Sequence, residues 1–346
     1  MRILYGVQAT GNGHISRSRE VIRNLKNLGH DVRVILSGRD PSLLWDMEDF
    51  EPFDAFRGLT FVTASGEVKY FATAKHLNLI RFYRDISSYD ASAYDLVITD
   101  FEPLSARIAR KNKIPLFGIG HQYAFYYDIP VAGANPLARW IIKNFAFANY
   151  PIGLHWYHFD QPILPPIIPY HLANTAETID DKILIYLPFE DLHAVHSLLK
   201  KVKTHHFYIY CSLNQPDDNE NIHLRPFSRS GFLKDLTECN GVICNAGFEL
   251  ASEALYLGKR LLVKPIAGQM EQASNAQALT QLKLGMSMKT LNPESVEVWL
   301  SSPPNDPIDY PDVAKILAHW IENDEWDNID VLARDAWNPM KFGFTG

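Results

Sequence analysis

The chain has 346 residues, of which 47% are hydrophobic and 21% charged, with a formal net charge of −7. That length exceeds one ordinary domain, so two are expected, and the composition is that of a globular protein rather than a disordered one. The acidic balance argues against a nucleic-acid protein, since nothing supplies a broad basic face.

Three cysteines, Cys211, Cys239 and Cys244, form no C-x-x-C pair. A disulfide framework or zinc ribbon is therefore not expected, and a reducing compartment is the simpler reading. The opening MRILYGVQATGNGH lacks the basic start and apolar run of a signal peptide, and no stretch of about eighteen apolar residues follows. A cytoplasmic protein is expected.

In chain order, Ile3 to Val7 predicts a strand, Ile15 to Leu28 a helix and Val32 to Leu36 a strand. A helix beginning near Thr73 ends within Arg81 to Ser87. Leu96 to Thr99, Pro103 to Lys111 and Pro115 to Ile119 read as strand, helix and strand. The strands are near-continuous apolar runs, as a parallel sheet covered on both faces requires. The proline-dense QPILPPIIP, 161–169, predicts an ordered connector, and the polar stretch Asn174 to Asp181 a boundary. The alternation restarts with strand Lys182 to Leu187, helix Asp191 to Lys201, strand Phe207 to Cys211 and helix Ser230 to Glu238. Strand Gly241 to Cys244, a helix opening at Glu249, and strand Arg260 to Lys264 come next. Helical patterns at Pro293 to Leu300 and Pro311 to Glu322 precede an aromatic tail with Trp326 and Trp337. The expectation is an α/β chain of two doubly wound Rossmann-like domains, 1–170 and 180–310, followed by helices in 311–346. Ligands of such sheets bind at the carboxyl ends of strands, so the site should lie in the cleft between the domains.

The first strand runs into Thr10-Gly11-Asn12-Gly13-His14. The spacing is not G-x-G-x-x-G, and the second strand ends Leu36-Ser37-Gly38 without an acid for a ribose diol, which speaks against NAD. His14, at the junction of loop and helix, is a candidate base, with helix capping as the plainer alternative. Asp100 ends an apolar strand at the same edge and is a candidate partner fixing the His14 tautomer. Glu102, expected nearer solvent, is the other candidate, and capping of the helix at Pro103 fits either acid. His121 follows a strand end and is a candidate on the acceptor side, weighed equally against a satisfied loop histidine. The stretch from Cys244 to Asn275 reads as strand, glycine turn and helix N-terminus, an arrangement that suits an anion.

Within that stretch, Gly247, Glu253-Ala254, Gly258, Pro265 and Glu271-Gln272-x-x-Asn275 resemble the donor signature of UDP-dependent glycosyltransferases of the GT-B fold. The resemblance is nearest the branch of the lipid-linked GlcNAc transferase of peptidoglycan synthesis. Gly13-His14-Ile15 resembles the Gly-His motif that starts those enzymes. The resemblance implies two Rossmann-like domains facing across a cleft, with a C-terminal helix packed back on the first. It implies an inverting, metal-independent hexosyl transfer from a UDP-sugar or another nucleotide sugar, with no cofactor beyond that donor substrate. His14, steered by Asp100, would be the base. Gly13, Asn245 and Gly247 would serve the diphosphate, Glu253 the ribose, and Gln269, Glu271 and Gln272 the donor sugar. The chain departs from the family at Asn245, where a histidine or basic residue is usual, and at Glu249 and Leu250, where Asn, Ser or Thr are. Leu187-Pro188-Phe189-Glu190 replaces a Gly/Ser-rich second phosphate loop.

No D-x-D pair occurs, which suits an enzyme that meets the diphosphate with helix N-termini. His193 with His196, and His205-His206, lack the third ligand of a metal site. Between Gln122 and Trp156 lie many aromatics. Trp140, Ile141, Phe145 and Ala148 share a helical face beside Arg139 and Lys143, and a buried helix is favoured over peripheral membrane docking at the inner face. Lys69, Lys75, Arg81 and Arg84 suit an anionic acceptor or, more often, a solvated face. The acceptor is unidentified, a lipid-linked or glycan molecule being the partner considered. A nucleotide-sugar 2-epimerase and a non-catalytic nucleotide-sugar binding protein are the alternatives.

Overall fold

The computed structural model describes residues 1–44, 46–60, 63–64, 67–68, 78–169, 171–172, 177–324 and 326–340. The expected start of a helix near Thr73, Lys69, Lys75 and residues 174–176 of the expected boundary lie outside them.

The strands are β1 (Arg2–Gln8), β2 (Asp31–Ser37), β3 (Phe53–Phe56), β4 (Thr63–Ala64), β5 (Glu67–Val68), β6 (Leu96–Asp100), β7 (Leu116–Gly120) and β8 (Tyr150–Gly153). The second half supplies β9 (Ile179–Tyr186), β10 (His206–Cys211), β11 (Asp217–Asn219), β12 (Ile222–Pro226), β13 (Cys239–Asn245), β14 (Arg260–Lys264) and β15 (Met286–Ser287). The helices used below are α1 (Asn12–Asn27), α2 (Leu79–Ser88), α3 (Pro103–Asn112), α4 (His121–Ala124), α5 (Pro136–Asn144), α6 (Leu192–Leu199), α7 (Arg229–Glu238), α8 (Phe248–Tyr256), α9 (Met270–Gln281), α10 (Pro293–Leu300), α11 (Val313–Glu322) and α12 (Ile329–Trp337).

The first sheet has the order β3-β2-β1-β6-β7-β8 with every pairing parallel. The second runs β11-β12-β10-β9-β13-β14-β15, parallel except for the edge pair of β11 with β12. In each sheet the strand order reverses at a central strand, between β1 and β6 and between β9 and β13. Such switch points open a crevice at the carboxyl edge. β1, β6 and β7 are buried almost end to end, so their apolar runs are what two covering helix layers demand.

The C-terminal helices return to the first sheet. Phe117 of β7 meets the rings of Trp320 and Trp326 edge-on at 5.5 and 5.1 Å. Trp337 donates its Nε1–H to the Ile163 carbonyl at 2.6 Å, in the proline-rich connector. α1 packs on α11 on the same side.

One expectation fails here. The helix holding Trp140 is not buried all along that face: Trp140 is 63% exposed and Leu137 55%, while Ile142 points inward. Helical spacing identifies a face but not which way it turns. Among the described residues, no helix is long and apolar enough to cross a membrane.

Gly118 in β7 shows how tightly the first sheet is covered. A Cβ there would lie 2.7 Å from the Ala148 Cβ and closer still to the Tyr123 ring. Gly118→Ala is therefore expected to cost about 1–3 kcal/mol through overpacking. The measurement is the urea midpoint, and an unchanged midpoint would contradict this packing.

Candidate active site

α1 begins at the end of β1 because Gly11 takes an extended N-cap conformation and glycine follows at position 13. No side chain caps this end and its first turn carries no acid. Gly13 is needed for approach rather than for a turn: a Cβ there would come within 2.7 Å of the Glu249 Cγ on α8. The two helices, one from each half of the chain, meet at their N-termini through this contact.

His14 in the first turn of α1 reaches Asp100 at the end of β6, with Nδ1 2.7 Å from Oδ1. Asp100 is fully buried, and its carboxylate also accepts from Arg17 Nε (2.9 Å), Arg17 Nη2 (2.5 Å) and Ser18 Oγ (2.8 Å). Burial alone would raise this carboxyl, but Arg17 and His14 outweigh it and hold it at about 2. An ionised carboxylate only accepts, so His14 donates to it from Nδ1 and Nε2 is the outward nitrogen. Nε2 has no hydrogen bond to a described residue, and the ring remains 16% exposed. Arg17 Nη2 lies 3.0 Å from His14 Nδ1 because both donors converge on one oxygen.

The guanidinium of Arg17, 2% exposed, extends its remaining nitrogen Nη1 to Glu249 of α8. Burial pushes Glu249 up, to about 8, against the pull of Arg17. One turn further along, Glu253 accepts from Ser16 Oγ at 3.3 Å and is pushed up to about 7 by burial, with Ser16 and Arg229 opposing. Ser16 and Glu253 line a cavity of about 160 Å³ shared with Arg39, Tyr186, Phe227 and Arg229. That is several times the roughly 30 Å³ share of one water. Arg39 reaches the cavity from the end of β2, held by Asn12 Oδ1 at 2.9 Å.

The turn before α8 is built from within. Asn245 donates to the Lys264 carbonyl (3.0 Å) and to Glu190 Oε1 (3.3 Å), and its own Oδ1 is buried with no partner among the described residues. Lys264 and Glu190 form a nearly buried ion pair at 2.7 Å, so the chain holds a charge pair where a second phosphate loop was absent from its sequence. Gly247 is the uncapped N-cap of α8, and a Cβ there would point into open space. On α9, Gln269 is the N-cap residue, with a buried Oε1 that has no partner among the described residues. Glu271 accepts from Gln122 Nε2 at 3.1 Å, and Gln272 Oε1 accepts from the Ile266 N–H at 2.9 Å. Gln272 is thus partly spent on bracing its own loop.

Two candidates are corrected. Glu102 does not face solvent: it is fully buried, caps α3 by accepting from Leu104 N and Ser105 N, and accepts also from Ser37 Oγ. A β-region residue before Pro103 satisfies the orphan N–H groups of the helix, which is the capping alternative. His121 does not line an open acceptor side. It is fully buried, with Nδ1 bonded to the Leu154 carbonyl (2.8 Å) and Nε2 to Asn275 Oδ1 (2.6 Å), and it stacks on Phe248 at 4.2 Å. His121 therefore ties the two halves together. Arg17 was not singled out from the sequence. The signal was its i, i+3 spacing from His14 on one helix face.

The structure brings together His14, Asp100, Gly13 and Glu253, with Asn245 and Gly247 at the facing turn. The model of glycosyl transferase family 1 matches residues 1–304. The chain belongs to that family. It is a glycosyltransferase with two Rossmann-like domains, and solved structures share its fold. The glycotransferase of kitacinnamycin superposes with a TM-score of 0.58 at 14% identity, covering 97% of this chain and 95% of that one. SsfS6 from Streptomyces sp. SF2575, complexed with thymidine diphosphate, gives 0.57 at 12% identity over 98% and 96%. The spinosyn rhamnosyltransferase SpnG gives 0.55 at 16% identity over 98% and 100%. No curated protein matches the sequence significantly.

The transferase should show the cost of its buried acid. Glu253 has a folded value of about 7 against an ordinary 4.5, so the folded state holds that proton more tightly. Its contribution to stability is complete below pH 4.5 and is lost as pH rises through 7. Glu253→Gln removes this dependence. Between about pH 5 and pH 8 the variant should gain on the wild type by an amount on the order of 1–3 kcal/mol. Urea midpoints at the two pH values measure it, and a gap that does not widen with pH would contradict the assignment.

Proposed function

We propose that the enzyme moves a hexose from a UDP-sugar to a hydroxyl acceptor, with inversion and without a metal, as in the branch of the lipid-linked GlcNAc transferase. The observation that carries this reading is the His14–Asp100 pair at one switch point, directly opposite the N-terminus of α8 at the other. His14 Nε2 takes the acceptor proton while the acceptor oxygen bonds to the anomeric carbon. The bond from that carbon to the diphosphate oxygen breaks, and the nucleoside diphosphate leaves with the electron pair. The N–H groups of Phe248 and Glu249 in the first turn of α8 receive the new charge, which is why no cation is required. Asp100 stabilises the imidazolium. Gln269, Glu271 and Gln272 position the donor sugar, and Gly13 and Asn245 shape the diphosphate space.

SsfS6 and a second SpnG structure hold thymidine diphosphate, which supports a nucleoside diphosphate as the donor's leaving group. Glu253 selects among nucleotides, because a carboxylate receives two hydroxyls from a ribose but one from a 2′-deoxyribose. Among the described residues its hydrogen-bond partner is Ser16, which a ribose hydroxyl would displace.

The acceptor side favours a membrane-borne substrate. α2 exposes Leu79, Ile80 (86%) and Tyr83, and α5 exposes Leu137 and Trp140. Arg107 of α3 joins them, its guanidinium over the Phe82 ring and donating to the Phe145 carbonyl. Exposed Arg81 and Arg84 lie on α2, and exposed Arg139 and Lys143 on α5, the same helices as these apolar side chains. Apolar insertion accompanied by cations is the chemistry of peripheral docking on an anionic leaflet, so the enzyme works at the inner face of the membrane.

His14→Ala should bind UDP as the wild type does yet lose transfer by about 10²- to 10⁴-fold. UDP release from UDP-GlcNAc with a membrane-lipid extract as acceptor reads the rate, and full activity would overturn the assigned base. UDP should bind roughly tenfold more tightly than thymidine diphosphate, and Glu253→Ala should erase that preference. Equal ratios in both proteins, by calorimetry, would remove Glu253 from the ribose. The Ile80→Glu/Trp140→Glu double variant should stop co-sedimenting with phosphatidylglycerol vesicles, and undiminished sedimentation would exclude this face.

A further inference from the structure

The acid at Glu249 is chemically out of place. It occupies the first turn of α8, where the proposed reading puts a diphosphate, and a carboxylate there repels that ligand. It is also nearly buried, pressed against Gly13, with the guanidinium of Arg17 as its counter-charge. Arg17 has three directions to donate. Nε and Nη2 are committed to Asp100 within the first domain, and only Nη1 faces the second. Nη1 is thus aimed at the N-terminus of α8, and what it meets there is Glu249.

We propose that Glu249 is an internal stand-in for the donor's phosphate: donor binding hands the outward nitrogen of Arg17 from Glu249 to the diphosphate, and Glu249 takes up a proton as it gives way. This rests on the donor lying at the N-terminus of α8.

The surroundings favour proton uptake over a second buried charge. The charged groups acting on Glu249 are Arg17 from α1, Asp100 from β6 and Glu253 one turn along α8. Asp100 and Glu253 disfavour its ionisation, and burial pushes its carboxyl up against Arg17. An incoming diphosphate adds further negative charge and takes the one compensating cation, so the neutral acid is what remains stable. His14 and Asp100 keep their own bond throughout, because Arg17 holds Asp100 with its other two nitrogens. The exchange also accounts for the departure of this chain from its family at position 249. An acid is tolerated on the phosphate side because it leaves that side as a neutral group.

The test is calorimetric titration of the full chain with UDP, in buffers of differing ionisation enthalpy, between about pH 6.5 and pH 9. At pH 6.5 Glu249, raised to about 8, is already protonated and uptake should be small; above that midpoint the wild type should take up a proton on binding, and its affinity should fall towards tenfold per pH unit beyond the titration of UDP itself. Glu249→Gln should show no such uptake and bind UDP more tightly than the wild type, by roughly tenfold at the alkaline end and little at the acid end. Arg17→Lys should bind UDP more weakly at every pH, since its single ammonium cannot serve Asp100 and the ligand together. If UDP binds with no proton uptake, or if the uptake persists in Glu249→Gln, the exchange is wrong and the donor site still stands. If UDP binds neither wild type nor Glu249→Gln, the donor site itself is wrong and the inference falls with it.

Discussion

The burial of one carboxylate, Asp100, constrains everything around the reaction centre. Removing a carboxylate from water costs several kcal/mol even after relaxation, and the cost is met only if its lone pairs are filled. Asp100 is filled by His14, by two nitrogens of Arg17 and by Ser18, all from the first two turns of α1. The rotation and depth of α1 are therefore fixed by a residue on β6. With α1 in that register, Gly13 faces α8, Ser16 faces Glu253, and the outward arm of Arg17 crosses to Glu249. The same saturation turns His14 Nδ1 inward as a donor, since a carboxylate that is only an acceptor leaves the ring no other role there.

Much of this was legible in the residues. Strand ends were readable because parallel strands buried on both faces are short apolar runs, and Arg260–Lys264 and Pro293–Leu300 fall where the pattern puts them. Asp100 was one of two candidate partners for His14, because it ends a strand at the edge where His14 begins α1, and the structure pairs the two. The sequence was silent where identical local chemistry serves two purposes. An acid before Pro103 reads the same whether it caps a helix or faces a ligand, and only the burial of Glu102 decides for the cap. His121 is settled by Asn275, 154 residues away, which no local pattern reveals. An arginine in the first turns of a helix looks solvated, so Arg17 was missed. The edge strands β3 and β8 were missed because they are four residues each and only half buried.

The two corrections share a cause. Both Glu102 and His121 sit at strand ends, where ligands gather in this architecture, but strand ends are also where backbone groups run out of ladder partners. Glu102 satisfies the start of α3, and His121 satisfies the Leu154 carbonyl beyond β8. Polar residues at these edges divide between holding the crevice together and facing into it. Their exposure, rather than their position, separates the groups: His14 keeps one open edge and the other two keep none.

α8 meets the first domain along two stripes of different strength. Phe248 and Ser252, four residues apart, face a dry cluster: Phe248 stacks on His121 and Ser252 Oγ accepts from Trp156 Nε1 at 2.8 Å. Glu249 and Glu253, also four apart, face Arg17 and Ser16. The aromatic stripe gains from burying apolar surface with its polar atoms paired. The acidic stripe gains little, because desolvation of the carboxylates offsets much of their attraction to the partner, as the raised values of both acids record. The acidic stripe is therefore the weaker of the two and the aromatic stripe the stronger. The weaker stripe is the one tied through Arg17 to the His14–Asp100 pair.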